Sequence, residues 1–100
     1  MKKKYLKSKP ICKVSFSLPK AAAEKAKDVR IVGDFNNWDS KTHKMKKLKN
    51  GSFTSTIDLP VGAEYEFRYL IDNEAWENDW EADKYVPTTF FDAENSVVVV

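Results

Sequence analysis

Apolar and polar residues alternate with a period of two along much of this chain, and this pattern restricts what it can fold into. Residues 12–18 and 64–71 show it most clearly, with one side of each stretch apolar and the other polar. Because successive side chains of a strand point to opposite faces, such stretches are typical of strands with one buried face. Further strands are predicted for residues 28–35, 52–59 and 95–100, and a weaker one for 43–50.

Turn residues separate these stretches. Asn50-Gly51 predicts a hairpin turn with φ > 0 at both positions, and Pro60-Val61-Gly62 predicts another turn. Residues 19–27 have high helix propensity but no large apolar side chain to bury, so we expect a loop with at most one helical turn. Short strands joined by tight turns predict an all-β fold, an antiparallel β-sandwich of about seven strands.

Positive charge is concentrated at the N-terminus. Residues 1–13 carry six lysines and no acid, whereas the remaining chain has 11 basic and 15 acidic residues, a net charge of −4. We therefore expect a basic N-terminal tail at 1–10 followed by one domain at 11–100. A nucleic-acid-binding domain normally carries its basic face on the folded body, so nucleic acid is not the favoured partner. Recruitment of nucleic acid by the tail stays as a minor alternative.

The cysteine content and the apolar runs bear on the compartment. Cys12 has no second cysteine to pair with and lies on the apolar side of its strand, so we expect a buried, inert thiol. The longest aliphatic run, Val97–Val100, is far too short to cross a bilayer. These features favour a cytoplasmic protein with no membrane partner.

The acidic segment at 72–83, DNEAWENDWEAD, invites a metal-binding or glycosidase interpretation. As a calcium loop it fails, because Trp76 and Glu77 occupy positions that require a ligand and a glycine. Counting acids does not exclude a two-carboxylate hydrolase, but a small sandwich has little chain with which to build a deep cleft. His43 lacks a plausible Cys or Ser partner and is expected to be solvated. We predict no catalysis, no metal and no cofactor.

Trp38 and Trp76 each follow a predicted strand beside turn residues. One interpretation is that such indoles cover the open ends of the sandwich and donate to backbone carbonyls, and we keep it for Trp80. The other is a sugar site, since one face of a glucopyranose ring carries only C–H groups and stacks on a flat aromatic ring. Planar amides and cationic donors suit the hydroxyls at the rim of the sugar. The polar candidates are Asn37, Arg68 and Asn95.

Four motifs together resemble a known family: VRIVGDFNNW, GSFTSTIDLPVGAEYEFRYLID, WENDWEADKYVP and ENSVVVV. Over about residues 14–100 the chain is similar to carbohydrate-binding module family 48, the isoamylase early-set domain. Similar domains bind glycogen in the β subunit of AMP-activated protein kinase and precede the catalytic barrel of branching and debranching enzymes. The resemblance implies an immunoglobulin-like early-set sandwich with stacking by Trp38 and Trp76. It also implies sugar contacts from Arg68, Asn95 and Phe91.

The chain departs from the family pattern at three places in the implied site. The segment PTTFFDAENS at 87–96 is bulkier than the glycine-rich loop common in bacterial relatives, so Phe90 or Phe91 could either extend the aromatic platform or block it. The turn at 73–75 is one residue longer than in the kinase type, and Arg68 replaces a lysine, which keeps the charge but changes the geometry. We predict a non-catalytic module that binds an α-1,4-glucan such as glycogen or a maltooligosaccharide, with a glycogen-metabolising enzyme as a further candidate partner. The alternative is a protein-interaction or structural early-set sandwich with a degenerate sugar site.

Overall fold

The fold is an antiparallel β-sandwich of two sheets, as the alternation predicts. The computed structural model describes residues 1–88 and 93–100. Their nine strands, two more than expected, are β1 Lys2–Tyr5, β2 Ile11–Leu18, β3 Val29–Gly33, β4 Lys46–Lys47, β5 Phe53–Pro60, β6 Glu64–Ile71, β7 Ala75–Glu77, β8 Lys84–Pro87 and β9 Glu94–Val99. Short 3₁₀ turns occur at Lys20–Ala22 and Asp34–Asn36. No helix in the described part of the chain is long and apolar enough to span a membrane.

The strand order places β6 at the centre of the second sheet. The first sheet has the order β1-β2-β5-β4, and the second has the order β3-β6-β9-β8. Along one edge of β6, its first half pairs with β9 and its second half pairs with β7. Its other edge pairs with β3. Three separate parts of the chain are therefore aligned on one central strand.

The core lies between the sheets and is filled by the apolar side of each predicted strand. All four apolar side chains at alternate positions of β2 are fully buried, whereas Lys13 between them is exposed. On β6, Phe67 and Tyr69 are buried in the same way. Phe67 packs edge-on against Phe16 of the facing sheet, with 5.0 Å between ring centroids. The free thiol of Cys12 is buried in this core, as predicted.

Part of the segment expected to be a basic tail belongs to the first sheet. Residues 2–5 form β1, which pairs with β2 from Lys2 opposite Ser15 to Tyr5 opposite Cys12. Main-chain N–H and C=O groups make these bonds whatever the side chain, so a lysine-rich strand shows no alternation that would reveal it. The short strands β7 and β8 escaped prediction because three or four residues are too few to show a period.

The predicted turns are present, with one correction. Gly62 has a φ of +79° and Gly51 has a φ of +90°. Asn50 was expected to share the positive φ, but its backbone does not adopt it. Instead, its Oδ1 accepts hydrogen bonds from the N–H and the hydroxyl of Ser52, at 2.9 and 2.7 Å. The side chain of the asparagine, and not its backbone freedom, stabilises this turn.

The outer face of the second sheet, which points away from the core, gathers side chains from distant parts of the sequence. Glu66, Arg68 and Leu70 of β6 lie on this face, because they alternate with the buried core residues of the strand. The register places Trp76 of β7 opposite Leu70. The register of β9 against β6 brings Asn95 next to Arg68.

Candidate functional site

The chain reverses directly after β3 and presents Trp38 in a left-handed turn. Asn37 and Trp38 have φ values of +55° and +57°, and the Trp38 N–H donates to the carbonyl of Gly33 at 2.9 Å. Asparagine tolerates the left-handed region, whereas a bulky aromatic residue there is an outlier. Such a conformation costs about 1–3 kcal/mol and tends to occur where function requires a particular side-chain position.

Gly33 allows this turn to lie directly against β6. A Cβ atom at this position would come within 2.5 Å of the Glu66 carbonyl oxygen and 2.7 Å of the Phe67 Cβ. Because the turn lies so close to β6, Asp34 can bond both to Trp38 and to the main chain of β6. One of its carboxylate oxygens accepts from the indole N–H of Trp38 at 2.9 Å, and the other accepts from the backbone N–H of Glu66 at 2.8 Å. A carboxylate thus holds the indole at the edge of the outer face.

Asn36 and His43 stabilise the same turn from within. Asn36 is buried; its Oδ1 accepts from the Gly33 N–H and its Nδ2 donates to the Ile31 carbonyl, both at 3.0 Å. The same amide nitrogen lies 3.0 Å from Nδ1 of His43. The expectation that His43 is solvated was wrong, because its ring is partly buried and packs edge-on against Phe35. Neither residue was singled out by the sequence for this internal role.

A second left-handed turn leads into Trp76. Asp72 and Asn73 have φ values of +49° and +60°. The Oδ1 of Asp72 accepts from the backbone N–H groups of Lys27 and Asp28, at 2.9 and 2.8 Å. These bonds tie the turn to the segment that precedes β3. The longer turn noted in the sequence is therefore held in place by these two bonds. The strand β7 follows the turn and pairs antiparallel with β6.

Trp38 and Trp76 line one cleft of about 530 Å³ on the outer face of the second sheet, termed the Trp cleft. Their side chains are 38% and 50% exposed, so both indoles offer surface to a ligand. Its other lining residues are Asp34, Glu66, Arg68, Pro87, Thr88 and Asn95. Four of the six site residues predicted from the sequence therefore meet there, namely Trp38, Trp76, Arg68 and Asn95.

The other residues singled out in the sequence are placed differently. Asn37 is exposed, but it is not among the described residues that line the Trp cleft. Phe91 lies outside the described residues, so its predicted sugar contact stays a prediction. Trp80, which was expected to cover an end of the sandwich, is 54% exposed and does not line this cleft.

A row of hydrogen-bonded side chains supplies the polar part of the Trp cleft. Arg68 Nε donates to Asn95 Oδ1 at 2.6 Å, and Asn95 Nδ2 donates to Glu66 Oε1 at 3.0 Å. The bond from Nε uses one of the five N–H donors of the guanidinium, whose two Nη groups carry the other four. The row thus holds planar polar groups beside two aromatic rings. That combination suits a ligand with an apolar face and a rim of hydroxyls.

Sequence reasoning missed Asp34 and Glu66. Glu66 shares the outward side of β6 with Arg68, so the alternation pattern was sufficient to suggest it. Asp34 gave no comparable signal, because its two bonds depend on how the end of β3 lies against β6.

Comparison with known families shows what the whole chain is similar to. The family model described as Carbohydrate-binding module 48 (Isoamylase N-terminal domain) matches residues 19–86, more than half of the chain. The chain belongs to carbohydrate-binding module family 48. The resemblance to this family is thereby confirmed over residues 19–86, whereas the motif ENSVVVV at 94–100 lies outside the match.

Curated proteins similar to this chain include 1,4-alpha-glucan branching enzymes. The chain is 41% identical over 66 residues to the 1,4-alpha-glucan branching enzyme GlgB of Butyrivibrio fibrisolvens, a match covering 63% of this chain and 10% of that protein. It is 40% identical over 67 residues to the enzyme of the same name from Synechocystis sp., covering 66% of this chain and 8% of that protein. The chain therefore spans a tenth or less of the length of these curated relatives.

Acids in the 72–83 segment of this family 48 domain make structural bonds. Asp79 is buried and accepts from the Tyr69 hydroxyl at 2.7 Å, and Asp83 accepts from the Lys3 ammonium at 2.6 Å. Burial, followed by the negative charge of Asp79, raises the pKa of Tyr69 well above its usual value of 10, so the phenol stays protonated as a donor. Among the described residues, no group of three or more His, Cys, Asp or Glu side chains is arranged to hold a metal ion.

Proposed function

We propose that this domain is a non-catalytic module that binds α-1,4-glucan chains, such as glycogen or maltooligosaccharides, in the Trp cleft. The observation that carries the proposal is the meeting of two exposed indoles from distant loops beside one polar row. Glucose rings stack their C–H faces on Trp38 and Trp76, while Arg68 and Asn95 bond to the hydroxyls at the rim. Family membership supports the same ligand class, as does the 1,4-alpha-glucan in the name of the similar branching enzymes.

The expected affinity is modest at a single site. By analogy with the stacking of nucleic acid bases on aromatic rings, each sugar stack contributes about 1–3 kcal/mol. Two stacks and a few hydrogen bonds that compete with water correspond to a Kd of roughly 10 μM to 1 mM. Such binding is effective on a polymer that offers many sites close together, because rebinding is then favoured.

The carboxylates in the Trp cleft support positioning and not acid–base chemistry. A glycosidase needs one carboxyl group to protonate the leaving oxygen and a second to act across the scissile bond. Asp34 already uses both oxygens as acceptors, from Trp38 and from the backbone of Glu66. The side chain of Glu66 accepts from Asn95. Both acids thus hold the sugar-contacting residues in place.

We further propose that the module acts in the cytoplasm and cooperates there with a glycogen-metabolising enzyme. The buried thiol of Cys12 is free, which agrees with a reducing compartment. The similar proteins carry a domain of this kind within much longer enzymes, which supports a partner of the same metabolic class. Co-purification of this chain with a branching or debranching enzyme, and loss of that association after glucan digestion, is the expected result.

Calorimetric titration with maltoheptaose tests the sugar proposal. The wild-type chain should bind with a Kd in the range given above, and Trp38→Ala or Trp76→Ala should weaken binding by about tenfold or more. Trp80→Ala is the matched control, since Trp80 is exposed outside the Trp cleft and its loss should leave the Kd unchanged. Absence of binding by the wild-type chain at millimolar maltoheptaose would overturn the proposal and favour a protein-interaction sandwich with a degenerate sugar site.

A further inference from the structure

A second cleft adjoins the Trp cleft, and we propose that it binds the glucose residues of a longer α-1,4-glucan chain that continues past Trp76. This inference rests on the proposed function. The second cleft, termed the Arg30 cleft, has a volume of about 590 Å³. Its lining includes Arg30, Ser40, Lys41, Asp72 and Asn73.

The register of the second sheet makes the two clefts neighbours. Leu70 of β6 pairs with Trp76 on one side and with Arg30 on the other. Residues opposite one another in adjacent strands point to the same face, so Trp76 and Arg30 both lie on the outer face. They are separated by two strand spacings, about 10 Å. A polymer that leaves the indole of Trp76 across the sheet therefore arrives at Arg30.

The same loops also build both clefts. The turn that presents Trp38 to the Trp cleft supplies Ser40 and Lys41 to the Arg30 cleft, two and three residues later. The turn at 72–73 borders the Arg30 cleft, and the strand that follows it carries Trp76 into the Trp cleft. Each Trp-bearing loop therefore contributes to both clefts. We infer one continuous track and not two unrelated depressions.

The lining of the Arg30 cleft offers many polar groups to a ligand rich in hydroxyls. The carboxylate of Asp28 accepts from Arg30 Nε at 2.9 Å and lies 3.5 Å from the Lys44 ammonium, which orients the guanidinium. The carboxylate of Asp72 is held by two backbone N–H groups. The lining holds three cations, Lys27, Arg30 and Lys41, against the two acids Asp28 and Asp72. Its guanidinium, ammonium, amide and hydroxyl groups provide donors and acceptors. Hydroxyls of successive glucose units are the complementary groups.

A double variant, Lys41→Ala with Asn73→Gly, tests the inference in the full chain. Both side chains are exposed, and glycine tolerates the φ of +60° at position 73, so the fold should be retained. Calorimetry is run with maltotriose, which is short enough for the Trp cleft, and with maltoheptaose. The double variant should lose about fivefold in affinity for maltoheptaose while its affinity for maltotriose changes by less than about twofold.

Two comparisons separate failure of this inference from failure of the proposed function. Lys46→Ala removes the same charge from the exposed strand β4 of the other sheet and should leave both affinities unchanged. Two results would overturn the proposal that glucan binds in the Arg30 cleft. One is a double variant that binds maltoheptaose like the wild type, and the other is a Lys46→Ala variant that loses as much affinity as the double variant. Trp76→Ala should weaken the binding of both maltotriose and maltoheptaose. If this variant binds maltotriose as tightly as the wild type, the proposal that sugar binds in the Trp cleft itself fails.

Discussion

Replacing Asp34 with asparagine should release Trp38 without removing the indole. The carboxylate accepts from the Trp38 indole N–H and the Glu66 backbone N–H, at 2.9 and 2.8 Å. An asparagine side chain has one oxygen, so its NH₂ group must face one of these two donors and at least one bond is lost. Because hydrogen bonds to charged groups contribute about 1.5–3 kcal/mol and Asp34 is exposed, we expect a loss of about 1–2 kcal/mol in unfolding free energy.

The effect should appear both in stability and in sugar binding. A loss of that size corresponds to a decrease in Tm of about 4–16 °C for a domain of this length. An indole that is no longer held should lose most of one stack, which corresponds to about a tenfold higher Kd for maltoheptaose. Thermal unfolding followed by circular dichroism gives the first quantity, and calorimetry gives the second.

Asp58→Asn is the matched control for this substitution. Asp58 is exposed on the first sheet and forms an ion pair with Lys13 at 3.1 Å, so its replacement should change the unfolding free energy by less than about 1 kcal/mol and leave sugar affinity unaffected. If Asp34→Asn melts and binds like the wild type, the carboxylate does not position the indole. If stability falls but the Kd is unchanged, the backbone turn alone positions Trp38, and the carboxylate of Asp34 does not hold the indole for binding.

Three further substitutions test how the site is held. Gly33→Ala should lower the unfolding free energy by about 1–3 kcal/mol in urea titrations, because the new methyl group would clash with the Glu66 carbonyl. Wild-type stability would show that β3 can shift away from β6 without cost. Asn36→Ala should lower the unfolding free energy by about 2–3 kcal/mol in the same titrations, since it leaves the buried main-chain N–H of Gly33 and carbonyl of Ile31 unpaired. A loss below about 0.5 kcal/mol, which is close to RT, would contradict this. The hydrogen bond from Arg30 lowers the pKa of Asp28 in the folded protein. The ionised carboxylate therefore stabilises the fold fully above the unfolded pKa of about 3.8, and this contribution is lost as the pH falls through the lower folded value. Urea titrations from pH 5 to 2 should therefore show a shallower acid loss of stability for Asp28→Asn than for the wild type, and parallel curves would disprove the linkage.

Local sequence patterns were sufficient to predict the strands that bury one face. The alternation in β2 and β6 predicted which side chains enter the core, because burying one face of a sheet requires a period of two. The lysine-rich β1 gave no such signal, since it joins the sheet through its main chain. The internal role of His43 was also missed, because its contact with Asn36 depends on the path of the loop between them.

Candidate site residues that belong to a recognised motif could be predicted from the sequence, whereas the residues that hold them in place could not. Trp38, Trp76, Arg68 and Asn95 stand in motifs that resemble those of family 48, and the structure brings them into one cleft. The carboxylate of Asp34 became visible only through its bonds to Trp38 and to the main chain of β6.

The sequence by itself determined the all-β class and the main strands, and it suggested the residues proposed to contact a sugar, because these depend on local periodicity and side-chain chemistry. Tertiary structure alone decided that the Trp38 and Trp76 loops share one face, and that a second cleft lies next to Arg30. Both results follow from the register of β3, β7 and β9 on β6. A shift of one residue in any of these pairings would turn a side chain to the opposite face, and no short stretch of sequence specifies a pairing between strands that are distant along the chain.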